Sequence, residues 1–162
     1  MIYLFTTRFN HSTWDQNHRW RETHGWEGCM YGTPSRIKDS IPIGAISFVL
    51  EMHNDLNEIQ GIGLIVNHVD ARKVCKIYEH GNYNRYLYHS SYRIDRTSLN
   101  TEELKVITIL DTLVFKGKSH LKRGYGIMCV PTWIHTNSHI SFQKKIMTMF
   151  KKRYITIHVP VY

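Results

Sequence analysis

The sequence predicts a mixed α+β fold, with a small curved or closed β-barrel flanked by two or three helices. Three observations lead there. Short apolar stretches of strand length recur along the chain, separated by Gly, Pro, Asn and Asp. Residues 100–115 and 138–153 carry apolar side chains at helical spacing. Finally, 42% of the 162 residues are hydrophobic, which suits one buried core and is too high for disorder.

The elements follow in order. Ile2–Thr7 (IYLFTT) reads as an opening strand. Asn10–Gly28 is polar and holds Trp14, Trp20 and Trp26, whose spacing of six does not suit one helical face. Thr13 is a candidate cap for a short helix over Trp14–Thr23. Ser40–Gly44 is a turn, and Ala45–Met52 is a strand. His53–Asn57 (HNDLN) is rich in turn formers, and Glu58–Asn67 is the returning strand. Within it, Gly61 and Gly63 alternate with Ile62 and Leu64, so one face is bare and invites close approach by a backbone or a ligand.

Val74–Tyr78 reads as a short strand and Glu79–Asn84 as a loop. Arg85–Asp95 is a strand with Tyr86, Tyr88 and Tyr92 on one face. Asn100 and Glu103 form a capping pair that opens a helix through Phe115. Lys116–Gly126 is a basic loop, and Ile127–Val130 is a strand ended by Pro131. Ser138–Arg153 reads as a helix and Ile155–Val161 as a last strand. The whole chain, 1–162, is expected to be one domain, with 133–162 as a basic helix-and-strand extension. No stretch approaches the roughly 20 apolar residues of a membrane span. The first ten residues lack the basic flank and apolar run of a secretory signal, and the odd, widely spaced cysteines point to an intracellular protein.

Charge is strongly segregated. Residues 116–162 hold nine Lys or Arg and no Asp or Glu, whereas the first 115 hold twelve basic and thirteen acidic residues. The whole excess of +8 therefore sits in the last third. A surface of one sign attracts a polyanion, most commonly nucleic acid.

Catalytic signatures are absent: there is no G-x-S-x-G elbow, P-loop or H-E-x-x-H. Cys29, Cys75 and Cys129 are odd in number and widely spaced, as expected of reduced, mostly buried thiols. A zinc site from cysteine and some of the eleven histidines is the sharper reading, but no zinc-type pair supports it. No cofactor and no metal ligand are therefore expected. His120, among Lys116, Lys118, Lys122 and Arg123, could serve a nuclease, and a solvated basic loop is the plainer reading. Four Trp and ten Tyr exceed the needs of a core this size, and several lie in polar surroundings. Stacking of such rings on bases is worth roughly 1–3 kcal/mol each.

The strand pair AISFVLEM–HNDLN–EIQGIGLI, then RYLYHSSYRIDRTSLNTEEL and LVFKGKSHLKRGYGIMCVP, resembles the PUA-like superfamily, with EVE and YTH domains closest. Ile2–Thr7 resembles their opening strand and Gly61-Ile62-Gly63 their G-x-G strand. Tyr86–Ile94 and Ser119-His120-Leu121 resemble their later motifs. The resemblance covers roughly residues 1–132, and the whole chain also resembles proteins of large DNA viruses. It implies a small barrel that inserts a modified base, of the N6-methyladenosine kind, into an aromatic cage.

By position, Tyr31 corresponds to the first cage Trp, Tyr78 or Tyr83 to the second, and Trp26 or Trp14 to a third wall. Gly32 and Thr33 would read the base edge. Arg93, Lys116, Lys118, Lys122 and Arg123 would hold phosphates. The resulting expectation is a non-enzymatic binder of single-stranded RNA, in the cytoplasm or a viral factory. Two alternatives stay open: a nucleic-acid-processing enzyme centred on His120, and a protein-interaction subunit whose basic C-terminal helix docks on an acidic partner.

Overall fold

A computed structural model describes residues 1–71 and 75–158. The elements are β1 (Tyr3–Phe9), α1 (His11–Thr23), β2 (Cys29–Thr33), β3 (Ile46–His53), β4 (Glu58–Val66), β5 (Tyr86–Ser90), β6 (Arg93–Asp95), α2 (Thr101–Phe115), β7 (Met128–Cys129), α3 (Thr132–His135) and α4 (Phe142–Arg153). Short 3₁₀ turns lie at Gly81–Asn84 and Arg96–Ser98. Among the described residues, no helix is long and apolar enough to cross a membrane.

Five strands form a mixed sheet in the order β6-β4-β3-β1-β7. β1 and β3 run parallel, with Tyr3 beside Ser47 and Phe9 beside His53. The other three pairings are antiparallel. β2 and β5 form a separate two-stranded sheet. The α+β class is as expected, but the five-stranded sheet is open, with β6 and β7 as unjoined edges.

The period of two along each strand divides the core between the two faces of the sheet. Leu4, Phe48, Leu50, Ile62 and Leu64 meet Ile107, Leu110 and Val114 of α2 and Ile146 and Phe150 of α4. Phe5, Val49 and Ile65 meet Cys29, Tyr31, Leu87 and Tyr88 of the small sheet, with Trp14 and Trp20 of α1 packed alongside. The basic last third thus supplies part of the core, through Phe142, Ile146 and Phe150.

The bare strip on β4 is filled as its glycines suggest. A Cβ on Gly63 would strike the Tyr31 hydroxyl and Cys29, and one on Gly61 would strike Glu51 and Arg93. At Gly28 a Cβ would run into the Ser90 backbone, which lets the small sheet close up. What approaches β4 is therefore protein, and the ligand alternative is not needed there.

Several boundaries differ from expectation for local reasons. The α1 cap is Asn10, which accepts from Thr13 N at 2.8 Å, and Thr13 returns the bond from the third helical position. The capping box of Asn100 and Glu103 is present on α2. α4 starts at Phe142 because Asn137 Oδ1 first takes up the N–H groups of His139 and Ile140. The expected strand over 85–95 breaks at Ser91. Ser90 Oγ donates to the carbonyls of Leu64 and Tyr92, so β5 and β6 part into different sheets. Residues 75–78 and 155–158 are not strand, while Val74 and residues 159–161 of those two expected strands lie outside the described residues.

Candidate functional site

The carboxyl ends of the parallel pair β1 and β3 open onto a cavity of 210 Å³. Phe9, Asn10 and Thr13 line it from the β1–α1 junction, and Asn54 from the β3–β4 hairpin. Gly32 and Pro34 come from the end of β2, Tyr78 and Tyr83 from the segment before β5, and Lys122, Gly124, Tyr125 and Gly126 from the basic loop. Thr7 and Arg8 complete the lining, and no Asp or Glu is among these described residues.

Arg8 carries most of the electrostatics. Its guanidinium donates to the carbonyls of Leu121 and Gly126, the latter at 3.3 Å, and to Thr6 Oγ1 at 2.7 Å. Gly124 lets the loop lie flat against it, since a Cβ there would collide with the guanidinium. No carboxylate pairs with Arg8 among the described residues. Burial alone pushes its pKa down, to about 10, so it stays charged at neutral pH. A partly buried cation held only by neutral groups leaves an attractive field for an anion. Lys122 adds a second positive group, tethered to Asn57 Oδ1 at 2.7 Å.

The aromatic walls are held from behind. Tyr78 is 5% exposed, and its hydroxyl accepts from Asn17 Nδ2 at 3.0 Å. Asn17 also donates to the Met30 carbonyl and accepts from Arg21 Nε at 2.9 Å. Asn17 and Arg21 are one helical turn apart, so α1 presents a polar stripe where an apolar one is usual. Burial holds the Tyr78 hydroxyl well above its usual pKa, so it remains neutral. Tyr83 stands edge-on to Tyr78, with ring centroids 6.1 Å apart, and is 37% exposed. The Tyr83 carbonyl fills the space beside Gly32 that a Cβ would need.

Asn54 adds a specific polar feature. Its Nδ2 donates to the Lys122 carbonyl at 3.0 Å, which fixes the amide orientation. Its Oδ1 is buried without a hydrogen-bond partner, an acceptor still to be satisfied at the cavity wall.

No family model, curated protein or solved structure matches this chain. The geometry alone therefore weighs each expected site residue.

Tyr78, Tyr83 and Gly32 line the cavity, as does Lys122. Tyr31 does not belong to a cage: it is 1% exposed, and its hydroxyl donates to Glu51 Oε1 at 2.7 Å. Thr33 is buried too, with its hydroxyl given to the Ser35 carbonyl. Trp26 is partly buried, donates to the Cys29 carbonyl at 3.1 Å and sets its ring against His89. Trp14 packs edge-on against Phe9 and lies under Arg93. Neither indole lines the cavity.

Arg93 is also corrected. Its guanidinium is buried between Glu51 and Asp95, both within 2.9 Å, which removes it as a phosphate contact. Lys116, Lys118 and Arg123 are exposed and lie outside the lining. His120 is likewise outside it, and its Nδ1 accepts from Lys122 N at 3.3 Å. Arg8, Asn54 and Tyr125 were missed by sequence reasoning. Arg8 sits in an apolar strand with no basic neighbours, so no local signal marks it.

A second group lies beside the cavity. Ring nitrogens of His11 and His53 and a carboxylate oxygen of Asp55 lie within 4.8 Å of one another. These two imidazoles and one carboxylate could hold a metal ion. The cysteines contribute nothing to that group: Cys29 is buried with its thiol raised to about 11, and Cys129 is exposed on β7.

Proposed function

We propose that this chain is a non-enzymatic nucleic-acid-binding domain that takes one base of single-stranded RNA into the cavity lined by Tyr78, Tyr83 and Tyr125. The observation that carries the reading is the cavity itself: three tyrosines, Arg8 and Lys122, and no acidic residue among the described lining. Tyr83 and Tyr125, 37% and 60% exposed, provide stacking faces, and the buried Tyr78 backs Tyr83 edge-on. The orphaned Asn54 Oδ1 suits an N–H donor on a base edge. Arg8 and Lys122 suit the flanking phosphates. At 210 Å³ the cavity is smaller than the roughly 300–1,000 Å³ typical of drug-sized ligands, which favours a single ring system.

The PUA-like, EVE/YTH-type descent belongs to this proposal, with Tyr83 and Tyr125 as the open walls of the cage and Tyr78 behind them. N6-methyladenosine is the first candidate base. A single methyl group gives a preference of only about 1–3 kcal/mol, from fit. Most affinity then comes from phosphates and depends on salt.

The test is a binding titration with single-stranded RNA and DNA oligonucleotides, with and without one N6-methyladenosine, at two salt concentrations. Binding that is steeply salt-dependent, and tighter for RNA with the methylated base, supports the reading. Salt-dependent binding with no base or methyl preference reduces the domain to a phosphate clamp. No binding at low salt removes the proposal.

A further inference from the structure

We propose that His11, His53 and Asp55 form a binding site for a divalent transition metal of zinc type, at the carboxyl ends of β1 and β3. The inference does not depend on the nucleic-acid reading.

Backbone geometry assembles the group. Phe9 and His53 are register partners in the parallel pair, and Asn54 N donates to the Phe9 carbonyl at 2.8 Å, which extends the ladder by one bond. The chain then turns into α1 on one side and into the hairpin on the other. His11, the first residue of α1, and Asp55, two residues beyond His53, are thereby brought to the same point. Asp55 Oδ2 accepts the His11 N–H at 2.8 Å, which orients the carboxylate beside both rings. The ring centroids of His11 and His53 are 4.8 Å apart, with the planes inclined at 66°.

A bland account covers part of this. Asp55 caps the start of α1, where a negative charge is favourable. His11 is a surface residue. His53 is the part that account leaves out. It is 1% exposed, packed against Trp14 and His11, and its Nδ1 is buried with no hydrogen-bond partner among the described residues. An imidazole inside a protein normally has its nitrogens satisfied. A ring nitrogen of His53 lies within 4.8 Å of donor atoms of His11 and Asp55, where a metal ion would engage it.

The donor set decides the class of ion. Two imidazole nitrogens and one carboxylate oxygen suit zinc and its borderline neighbours, whereas magnesium and calcium take oxygen ligands. Three protein ligands leave a fourth position for water or an outside oxygen. His11 and Asp55 are both exposed, so their side chains can close the remaining distance without moving the core.

The test is calorimetric titration of chelator-treated full-length protein with Zn²⁺, repeated with Mg²⁺ and with the variants His11→Ala and Asp55→Asn. Asn at position 55 keeps an acceptor for the His11 N–H and removes the anionic ligand. Co²⁺ absorption on the same samples reports nitrogen ligation directly. One Zn²⁺ per chain is expected, with affinity falling at least about 100-fold in each variant, because even an outer partner of a metal ligand is worth roughly 10–100-fold. Metal-free melting temperatures of both variants should stay near that of the parent, since both residues are exposed. No Zn²⁺ binding, binding unchanged in both variants, or Mg²⁺ binding as tight as Zn²⁺ would each overturn the site.

Discussion

Arg93 closes on Glu51 from two sides, Nη2 to Oε2 at 2.7 Å and Nε to Oε1 at 3.0 Å, while Tyr31 donates to the same Oε1 at 2.7 Å. The Arg93–Glu51 pair sits in space that Gly61 leaves free, and both side chains are at most 5% exposed. Removing one partner strands the other charge in the interior. Arg93→Met is therefore expected to lower unfolding stability by about 3–5 kcal/mol. Tyr31→Phe should lower it by about 1.5–3 kcal/mol, as for a hydrogen bond to a charged group. Urea titration measures both. If Tyr31→Phe instead abolished RNA binding at unchanged stability, Tyr31 would belong to the pocket after all.

Tyr83 is the wall of the proposed cage most open to substitution. It is half-exposed, whereas Tyr78 is buried and bonded to Asn17. Tyr83→Ala is expected to weaken oligonucleotide binding by roughly 1–3 kcal/mol, the usual worth of one stacked base. Its unfolding free energy should fall by only about 0.5–1.5 kcal/mol, the worth of its edge-on contact with Tyr78. Fluorescence anisotropy beside a thermal melt separates the two effects. Equal affinity in parent and variant would place the base elsewhere.

Lys122 and Arg8 should separate charge from geometry. Lys122→Ala removes one of the proposed phosphate contacts, and the slope of log K against log salt for single strands should fall by about 0.7. Arg8→Lys keeps the charge but loses the fork that grips two loop carbonyls and Thr6. It should leave the slope unchanged and lower thermal stability. An unchanged slope in Lys122→Ala would show that this lysine meets no phosphate.

Acid should loosen the contact between α2 and α4. Arg153 grips Glu103 with two bonds, at 2.6 and 2.9 Å, and these hold the buried carboxyl below its ordinary value of 4.5. A depressed folded pKa means the unfolded state binds its proton first as pH falls. The stabilisation is therefore complete above 4.5 and is lost as pH drops through the lower folded value. Melts of parent and Glu103→Gln from neutral to acid pH should differ most at neutral pH and converge in acid. A constant gap would contradict the linkage.

Much of the fold is legible in residue patterns, and the failures have particular causes. Asn100 with Glu103 announces its capping box, and Gly61 with Gly63 announces a close approach, because both signals are local. β2 was not foreseen. Its CMYGT sequence has no clean alternation, and it is strand because β5 pairs with it. Tyr31 and Arg93 misled for a related reason: tyrosine and arginine look like surface binders until a buried Glu51 engages them. The cavity draws on β1, the end of β2, the β3 hairpin and the 121–126 loop, whose convergence depends on strand order. Strand order is not written in any one segment.

The position of β1 has a consequence for how the chain matures. β1 lies between β3, which follows some forty residues later in the chain, and β7, at residues 128–129. Arg8 likewise waits for the carbonyls of Leu121 and Gly126. Synthesis proceeds at about 5–20 residues per second, so β1 spends seconds without its second neighbour. Nascent fragments that stop short of Met128 are expected to stay open to protease near Arg8. Extension through Arg153 should protect them, and the cavity should form only after residues 122–129 have emerged.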